Sequence, residues 1–371
     1  MRVAVVGSGA MGAASAWRLA ERGVRVVSFD RHSPPHVFGS RHGETRITRT
    51  AYFEGPWYVP LLRETFPLWR ELEQSTGSHL LTLNGALMIG SPASDAVMGA
   101  RAAAAAHGLD IEVLEARDVH RRYPGQVLRS GEVAILDRQA GFVRPEAAVG
   151  AMIERVLALG GDLRRNTVVT SVDGLTVTTA ETREAFDAVV IAAGPWMHDL
   201  VPSLPLTVER QVMVWLAIEG GANWFSPERF PAFIRQTDDM GDAYGLPTLD
   251  GESVKVARHH DGSATDPDHV QREVTADDLD RVRAFAARYL NGVTGRVTRA
   301  AVCMYTNTPD RHFAIGQHPD DSRIVVLSAC SGHGFKFAPV IGDIAADLVC
   351  DGGTARDISH ISLERFVRTA S

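Results

Sequence analysis

The sequence predicts a mixed fold, in which a Rossmann-like α/β domain that binds a dinucleotide is interleaved with an antiparallel-sheet substrate domain. The chain opens with an apolar run, a Gly-x-Gly-x-x-Gly turn at residues 7–12 and a helix of small residues. Short apolar runs recur at residues 188–193 and 324–327, whereas residues 211–218 and 252–257 alternate. Continuous runs are typical of parallel strands buried on both faces, and alternation is typical of antiparallel strands.

The chain of 371 residues is long enough for two domains. We assign residues 1–79, 141–203 and 299–371 to the dinucleotide-binding domain, and residues 80–140 and 204–298 to the substrate domain. The alternating stretch at residues 80–89 predicts one strand of the second sheet. Helices are predicted at residues 13–21, 60–74, 145–159, 277–290 and 338–350.

Composition argues against several functional classes. The 38 basic and 45 acidic residues give a net charge of −7, without the basic cluster of a nucleic-acid or membrane-surface protein. No apolar run approaches the length of about 18 residues that crosses a membrane, and the first residues lack a secretory signal. Three cysteines are too few for a disulfide framework, and no His/Cys cluster has metal-ligand spacing. We therefore expect a cytoplasmic protein without a metal.

The glycine turn has the strand-turn-helix context that dinucleotide binding requires. Gly7 permits the tight turn, Gly9 lets the backbone approach a diphosphate, and Gly12 allows close packing of helix on strand. The helix beginning at Ala10 and Met11 offers free N–H groups and a partial positive charge to the phosphates.

An acidic residue completes this motif. Asp30, followed by Arg31, ends the second predicted strand, where its carboxylate can accept hydrogen bonds from a ribose. The motif fits NAD and FAD alike. It occurs once, whereas a flavoprotein reduced by a nicotinamide usually carries two. The electrons are therefore expected to come from the substrate itself.

Two polar clusters are candidate functional segments. Residues 40–49 hold three arginines and a histidine, for which a solvated basic loop is the simplest interpretation. Residues 303–306 and 331–337 form the second cluster, and both lie in the third piece of the predicted dinucleotide domain. Residues 331–334 also precede a helix, where backbone amides can face an anion or a flavin edge.

At these segments the chain resembles the monomeric sarcosine oxidase and N-methyl-L-tryptophan oxidase group of the D-amino-acid-oxidase-like flavoproteins. The resemblance runs through nearly the whole chain, and the strings Gly-Glu-Thr-Arg and Ser-Gly-His-Gly-Phe-Lys-Phe are specific to it. It implies FAD as the cofactor, a small amino acid as the substrate, O2 as the acceptor and a monomeric protein. The segments that carry it are residues 34–36, 39–49, 58–61, 303–306 and 331–337.

The resemblance also implies roles for single residues. Cys303 matches the cysteine that is bonded to the flavin 8α carbon, although a lone cysteine is otherwise an inert buried residue. Arg49 and Lys336 match the pair that binds the substrate carboxylate, which suits a planar guanidinium and an ammonium. Lys255 matches the lysine beside the flavin where oxygen is reduced; without the family, it would be assigned to the exposed face of a strand.

The remaining matches surround the flavin and the substrate. His42 and Arg46 match residues that line the flavin and, with the carboxylate pair and Lys255, make up the predicted catalytic set. The other matches are substrate contacts at Tyr244, His259, Tyr305 and the carbonyl of Gly332, and cofactor contacts at Gly332, Gly334 and Lys336.

The implied reaction takes two electrons from the C–N bond of a secondary-amine amino acid, giving an imine that water hydrolyses, while O2 becomes hydrogen peroxide. The chain departs from the family where Phe53 replaces a glycine and Arg41 replaces a histidine. Sarcosine, larger N-methyl amino acids, cyclic imino acids in a biosynthetic role and glycated amino acids therefore all stay open as substrates. The alternatives are a flavin dehydrogenase with another acceptor and a binding protein that merely retains FAD.

Overall fold

A computed structural model of the protein describes residues 1–220 and 223–367. In those residues the α-helices are α1 (Ala10–Glu21), α2 (Val59–Thr76), α3 (Asp95–His107), α4 (Ala116–Arg122), α5 (Pro145–Ala158), α6 (Met197–Leu200), α7 (Ala276–Tyr289), α8 (Ala338–Cys350) and α9 (Glu364–Val367). Short 3-10 helices occupy Pro56–Tyr58, Gly194–Trp196, Asn223–Phe225, Phe335–Phe337 and Ser359–Ile361.

The strands of the same residues, in chain order, are β1 (Arg2–Val6), β2 (Arg25–Phe29), β3 (Arg46–Thr48), β4 (Leu81–Thr82), β5 (Ala86–Gly90), β6 (Ile111–Leu114), β7 (Val133–Asp137), β8 (Gly141–Val143), β9 (Asp162–Arg164), β10 (Val169–Asp173), β11 (Thr176–Thr179), β12 (Arg183–Ala185), β13 (Ala188–Ile191), β14 (Thr207–Ile218), β15 (Ala232–Arg235), β16 (Ala243–Leu246), β17 (Ser253–Arg258), β18 (Val293–Asn307), β19 (Ala314–His318) and β20 (Asp321–Ser328).

The five predicted helices are confirmed as α1, α2, α5, α7 and α8, and local chemistry accounts for several of their ends. The largest difference is at α1, which begins at Ala10 rather than at residue 13. Thr275 and Asp278 form a capping box at the start of α7, each side chain bonding the backbone N–H of the other. Helix α2 ends at Gly77 in the left-handed conformation that glycine adopts without strain.

A six-stranded sheet in the order β19-β20-β13-β1-β2-β9 contains the predicted parallel strands. Its pairings are parallel except at β19, which runs antiparallel to β20. Val3 and Val5 of β1 pack with α1, α2, α5 and α8 on one face. Ala4 and Val6 point to the other face, which the antiparallel sheet β10-β11-β12 covers. Burial on both faces explains the uninterrupted apolar run of β1.

An eight-stranded sheet in the order β18-β14-β17-β16-β15-β5-β7-β6 forms the second layer. It is antiparallel apart from the β5–β15 pair, in agreement with the predicted antiparallel sheet. Val214 and Val256 on one face pack against Phe285 of α7, so alternate residues of β14 and β17 are buried there. The proposed domain boundary at residue 299 falls inside β18, which pairs with β14 along its length.

The predicted strand of the second sheet at residues 80–89 is confirmed for its second half, which is β5, and is wrong for its first half. The segment is split: β4 pairs with β8 in a small sheet of order β3-β8-β4, while β5 joins the eight-stranded sheet. Between them the chain turns at Gly85, whose φ of 88° is a left-handed conformation. The two strands differ in burial: β4 has one buried and one exposed residue, whereas all five residues of β5 are buried.

No helix within residues 1–220 and 223–367 is long and apolar enough to span a membrane.

Candidate active site

A cavity between the two large sheets collects most of the residues that the sequence singled out. We call its two parts the glycine region, lined by Gly7, Gly9, Ala10, Met11, Asp30 and Arg31, and the cation region, lined by Arg49, Glu54, His259, Tyr305 and Lys336. Because β1, β2 and β13 are parallel, their carboxyl ends meet at one edge of the sheet. The glycine region occupies that edge, where ligands of such sheets bind.

The backbone of the glycine region has no room for side chains. Gly7 has a φ of 91°, and a Cβ there would lie 2.4 Å from the Ala192 carbonyl oxygen. A Cβ on Gly12 would lie 1.7 Å from the Gly7 carbonyl oxygen. Gly12 does not line the cavity; it lets α1 pack against the turn from behind. The helix starts at Gly9 without a side-chain cap, so its first N–H groups remain available to an anion.

Asp30 is held in place by three neighbours. Its carboxylate accepts hydrogen bonds from the Ser8 N–H and the His32 N–H, both at 2.9 Å, and lies 3.3 Å from His36 Nε2. Burial alone would raise the pKa of Asp30, but the bonds from His36, His32 and Ser8 lower it below the ordinary value. An ionised carboxylate at the cavity wall is what a ribose diol needs, so the residues present fit a dinucleotide.

Arg31 beside it has protein partners of its own. Its guanidinium is 2.9 Å from Asp268 and 4.5 Å from the ring centroid of Trp196. Both Arg31 and Trp196 line the cavity.

Arg49 of the cation region is only 1% exposed and already has a carboxylate partner. Its Nη2 donates to both oxygens of Glu54, at 2.5 and 2.6 Å. The guanidinium carbon lies 4.1 Å from the Tyr52 ring centroid and 4.3 Å from that of Phe53, so two aromatic faces enclose it. Its Nε has no hydrogen-bond partner.

Glu54 keeps its charge despite burial. Burial would raise its pKa, but Arg49 first, and then His333 and Lys336, lower the pKa to about 2. The cation region therefore holds two cations around one internal carboxylate.

Lys336 starts a hydrogen-bonded chain whose directions can be assigned. Its Nζ donates to the His333 carbonyl at 2.6 Å and to the Tyr52 hydroxyl at 3.3 Å. His333 Nε2 must donate to the Arg311 carbonyl at 3.0 Å, so Nδ1 accepts from Tyr52 at 2.6 Å. Burial lowers the pKa of His333 to about 3, consistent with a neutral ring. Burial, followed by the Arg49 charge, also lowers the pKa of Lys336 well below its ordinary value.

Gly332 allows the aromatic wall of the cation region to form. A Cβ on this glycine, which has a φ of 77°, would lie 2.8 Å from Tyr305 and 2.9 Å from His259. The Tyr305 hydroxyl is 3.2 Å from His259 Nδ1, and Tyr244 also lines this wall. Burial lowers the pKa of His259 well below its ordinary value, which leaves a neutral imidazole there.

Arg46 joins the cavity to Cys303. It lines the cavity, and its Nη2 donates to the His42 carbonyl at 2.5 Å and contacts Cys303 Sγ at 3.6 Å. Cys303 and His42 are buried and do not themselves line the cavity. Burial raises the pKa of Cys303, which Arg46 opposes. Burial, then the Arg46 charge, lowers the pKa of His42 to about 4, so Arg46 supplies the positive charge here.

Lys255 is 1% exposed, although its strand pattern alone would place it on a solvated face. Its Nζ donates to the carbonyls of Gly43 at 2.9 Å and Thr45 at 2.5 Å. Glu146 fixes the same turn by accepting from the Gly43 N–H at 2.6 Å. Burial, then the Arg46 charge, lowers the pKa of Lys255 well below its ordinary value.

Sequence reasoning missed several members of this network: Glu54, Tyr52, His333 and Glu146. Tyr52 reaches Lys336 from a distant part of the chain, Glu146 bonds the turn that holds Lys255, and Glu54 lies in a loop without periodicity. The one local signal was an acid five residues after Arg49. In the part of the chain that is described, no group of three or more His, Cys, Asp or Glu is arranged to hold a metal.

Comparison with known proteins gives consistent matches along the whole length. The family model for FAD dependent oxidoreductases matches residues 2–348. Monomeric sarcosine oxidase of Streptomyces avermitilis is 39% identical, over 98% of this chain and 97% of the relative. N-methyl-L-tryptophan oxidase of Yersinia pestis is 34% identical, over 98% of each chain. The open form of NikD, an unusual amino acid oxidase essential for nikkomycin biosynthesis, superposes with a TM-score of 0.85 at 27% identity, covering 97% of this chain and 96% of NikD.

Proposed function

The chain belongs to the family of FAD-dependent oxidoreductases, and from that premise we propose that it is an oxidase of amino acids with a secondary amine, N-methyl amino acids above all. In the overall reaction the substrate loses one hydrogen from nitrogen and one from the adjacent carbon. The product is an imine, and O2 takes up both hydrogens and both electrons as hydrogen peroxide. Water then hydrolyses the imine.

The observation that carries the proposal is the buried cation region. Arg49 and Lys336 line a cavity that the glycine region also lines, so an anionic substrate bound there is enclosed with the dinucleotide site. A guanidinium pairs with a carboxylate bidentately, and an ammonium adds a point charge. The substrate carboxylate would replace Glu54 beside Arg49, and would thereby orient the amine carbon.

The glycine region supports FAD as the bound dinucleotide. Gly7, Gly9, Ala10 and Met11 would receive the diphosphate, and Asp30 the ribose. When bound, FAD supplies the two-electron acceptor that the side chains of this chain lack.

The wall near Arg46 supports covalent attachment through Cys303. The thiol is buried and contacts Arg46, whose charge favours the thiolate that such a bond needs. Attachment predicts that the flavin stays with the acid-precipitated protein, and that a Cys303→Ser variant releases it. Release of flavin from the unaltered protein would contradict attachment.

Lys255 is proposed to be the cation beside the flavin at the place where O2 is reduced. A fixed ammonium would stabilise negative charge that develops on reducing oxygen. Its two carbonyl partners hold Nζ in one position, and Glu146 anchors the turn that provides them.

The candidate substrates differ in the size of the group that the amine carries. Phe53 stacks on Arg49, and a Cβ on Gly99 of α3 would lie 2.8 Å from Phe53. This close packing fixes the loop that forms one wall, and we infer that the wall limits substrate size.

Peroxide release from the purified protein tests the function. The panel contains sarcosine, N-methyl-L-tryptophan, L-proline, L-pipecolate, fructosyl-glycine and the primary amino acids. We expect peroxide with secondary amines and none with primary amino acids. Substrate turnover with an artificial acceptor but without peroxide would identify a dehydrogenase. A protein that contains flavin but oxidises no substrate of the panel, with or without that acceptor, would contradict the proposed oxidation of these amino acids.

A further inference from the structure

Arg41 is a buried arginine that lacks hydrogen-bond partners at two nitrogens. It is 6% exposed, and its Nε and Nη2 have no partner. Burial lowers the pKa of Arg41 below its ordinary value, and the charges of Asp30 and Glu146 only partly oppose this. Both carboxylates are occupied elsewhere, Asp30 by Ser8 and His32 and Glu146 by the N–H of Gly43.

The guanidinium lies over the start of α1. Its Nη1 is 3.0 Å from the position that a Cβ on Gly9 would occupy, and Arg41 lines the cavity together with Gly9, Ala10 and Met11. Helix α1 has twelve residues, and no side chain caps Gly9. An uncapped helix N-terminus and an unsatisfied guanidinium therefore face the same space.

Both features favour an anion that the chain itself does not provide. Helix N-termini bind phosphates through free N–H groups and the helix dipole. A buried guanidinium whose nitrogens lack hydrogen-bond partners is unfavourable in the free protein, and phosphate oxygens match its fork of donors. Asp30 faces the same region, but its negative charge suits the ribose rather than the phosphates.

We propose that Arg41 binds the diphosphate of the dinucleotide, as a specific cation placed over the glycine turn. This inference rests on the proposed function, since it needs a dinucleotide in the cavity. It goes further by assigning to one side chain the recognition of the two phosphates. It also gives a physical meaning to the arginine that stands here where a histidine is typical of the family.

The test uses the full chain with Cys303→Ala, so that bound flavin can be removed. Calorimetry measures ADP and adenosine binding to this flavin-free parent and to Arg41→Met, Arg41→Lys and Arg272→Met in the same background. Arg272 is the matched control, because it lies near the same loop but donates to the carbonyls of Val37 and Phe38. Flavin fluorescence measures FAD binding to the parent.

We expect Arg41→Met to weaken ADP binding about 10- to 100-fold and to leave adenosine binding unchanged, because only ADP carries the diphosphate. Arg41→Lys should lose less of its affinity for ADP than Arg41→Met, and Arg272→Met should bind ADP as tightly as the parent. The melting temperature of ligand-free Arg41→Met should equal or exceed that of the parent, because an unpaired buried charge is removed.

Unchanged ADP binding in Arg41→Met would overturn the inference. A lower melting temperature without ligand, together with an unchanged preference for ADP over adenosine, would also overturn it and assign Arg41 a structural role. A parent that binds neither FAD nor ADP would instead overturn the proposed function, and the inference with it.

Discussion

The glycine region and the cation region use their charged groups in opposite ways. In the glycine region the start of α1 has no side-chain cap and two Arg41 nitrogens have no hydrogen-bond partner, so both offer donors to an anion. In the cation region Arg49 is paired with Glu54, and Lys336 is bonded to the His333 carbonyl and the Tyr52 hydroxyl. In the proposed function, the first region would keep a permanent ligand, and the second would exchange an internal partner for a transient one.

The difference has an energetic consequence. An incoming carboxylate must compete with Glu54, whose pKa of about 2 means that it stays ionised at neutral pH. In the proposed function, the carboxylate would therefore bind more weakly than two buried cations alone would bind it. In return, Arg49 is never left buried without a counter-charge, which costs several kcal/mol. Substitution of single residues in the two regions tests this difference.

Removing the charge of Arg49, whose partner Glu54 is proposed to be replaced by the substrate, should have the largest effect on activity. Arg49→Gln loses the bidentate carboxylate contact, and we expect kcat/KM for an amino-acid substrate to fall about 10²- to 10³-fold. Arg49→Lys should retain part of the activity, because it keeps the charge. Steady-state peroxide assays measure both variants, and circular dichroism checks their folding. Wild-type kcat/KM in Arg49→Gln would remove Arg49 from substrate binding.

Neutralising Glu54 should make the cation region resemble the glycine region. Glu54→Gln leaves Arg49 unpaired, so we expect the ligand-free protein to lose about 2–4 kcal/mol of unfolding free energy. The same change should tighten binding of a simple carboxylate such as acetate, because the competitor has lost its charge. Urea denaturation with and without acetate measures both quantities. A variant that is destabilised yet binds acetate more weakly would show that Glu54 does not compete with the ligand.

A smaller effect should come from the aromatic wall. Gly332→Ala forces a Cβ against Tyr305 and His259 at a positive φ, at an expected cost of about 1–3 kcal/mol. Gly352→Ala is the matched control, because Gly352 has a φ of 73° but no atoms near its Cβ position. The control should show the backbone strain alone in thermal unfolding. Equal losses of stability in both variants would mean that Tyr305 and His259 move aside at no cost in free energy.

The smallest expected effect is on pH dependence. The pKa of Lys336 lies well below the ordinary lysine value, so its proton is lost as the pH rises through that lowered pKa. A substrate carboxylate binds better when Lys336 is charged. KM should therefore rise a few-fold as Lys336 loses its proton, at pH values below the ordinary lysine pKa. Lys336→Arg should move the rise to higher pH, since arginine stays charged. A KM that rises only near the ordinary lysine pKa would contradict a deprotonating Lys336.

The two regions also differ in how far the sequence predicts them. Gly7 to Asp30 lie on one strand-turn-helix-strand unit, so spacing alone predicts their shared position, and the structure adds mainly the close contacts that exclude a Cβ at Gly7 and Gly12. The cation region joins residues from distant elements, such as Arg49 and Lys336, and only family resemblance grouped them beforehand. Tyr52 and His333 were missed because hydrogen bonds between distant segments leave no periodic signal, and Glu54 was missed because it lies in a loop without periodicity. The break at Gly85 was hidden for a similar reason, because the apolar residues of 80–89 do not show that β4 and β5 join different sheets.

The most direct test of the account is anaerobic mixing of the flavin-loaded protein with the best N-methyl amino acid of the panel and, separately, with its carboxamide. Both carry the same amine, and only the acid carries the group that Arg49 and Lys336 are proposed to bind. We predict that the acid bleaches the flavin absorbance within the turnover time, and that the carboxamide does so at least about 100-fold more slowly at equal low concentration. Equal bleaching by both would contradict carboxylate recognition in the cation region, and bleaching by neither would contradict oxidation of the amine.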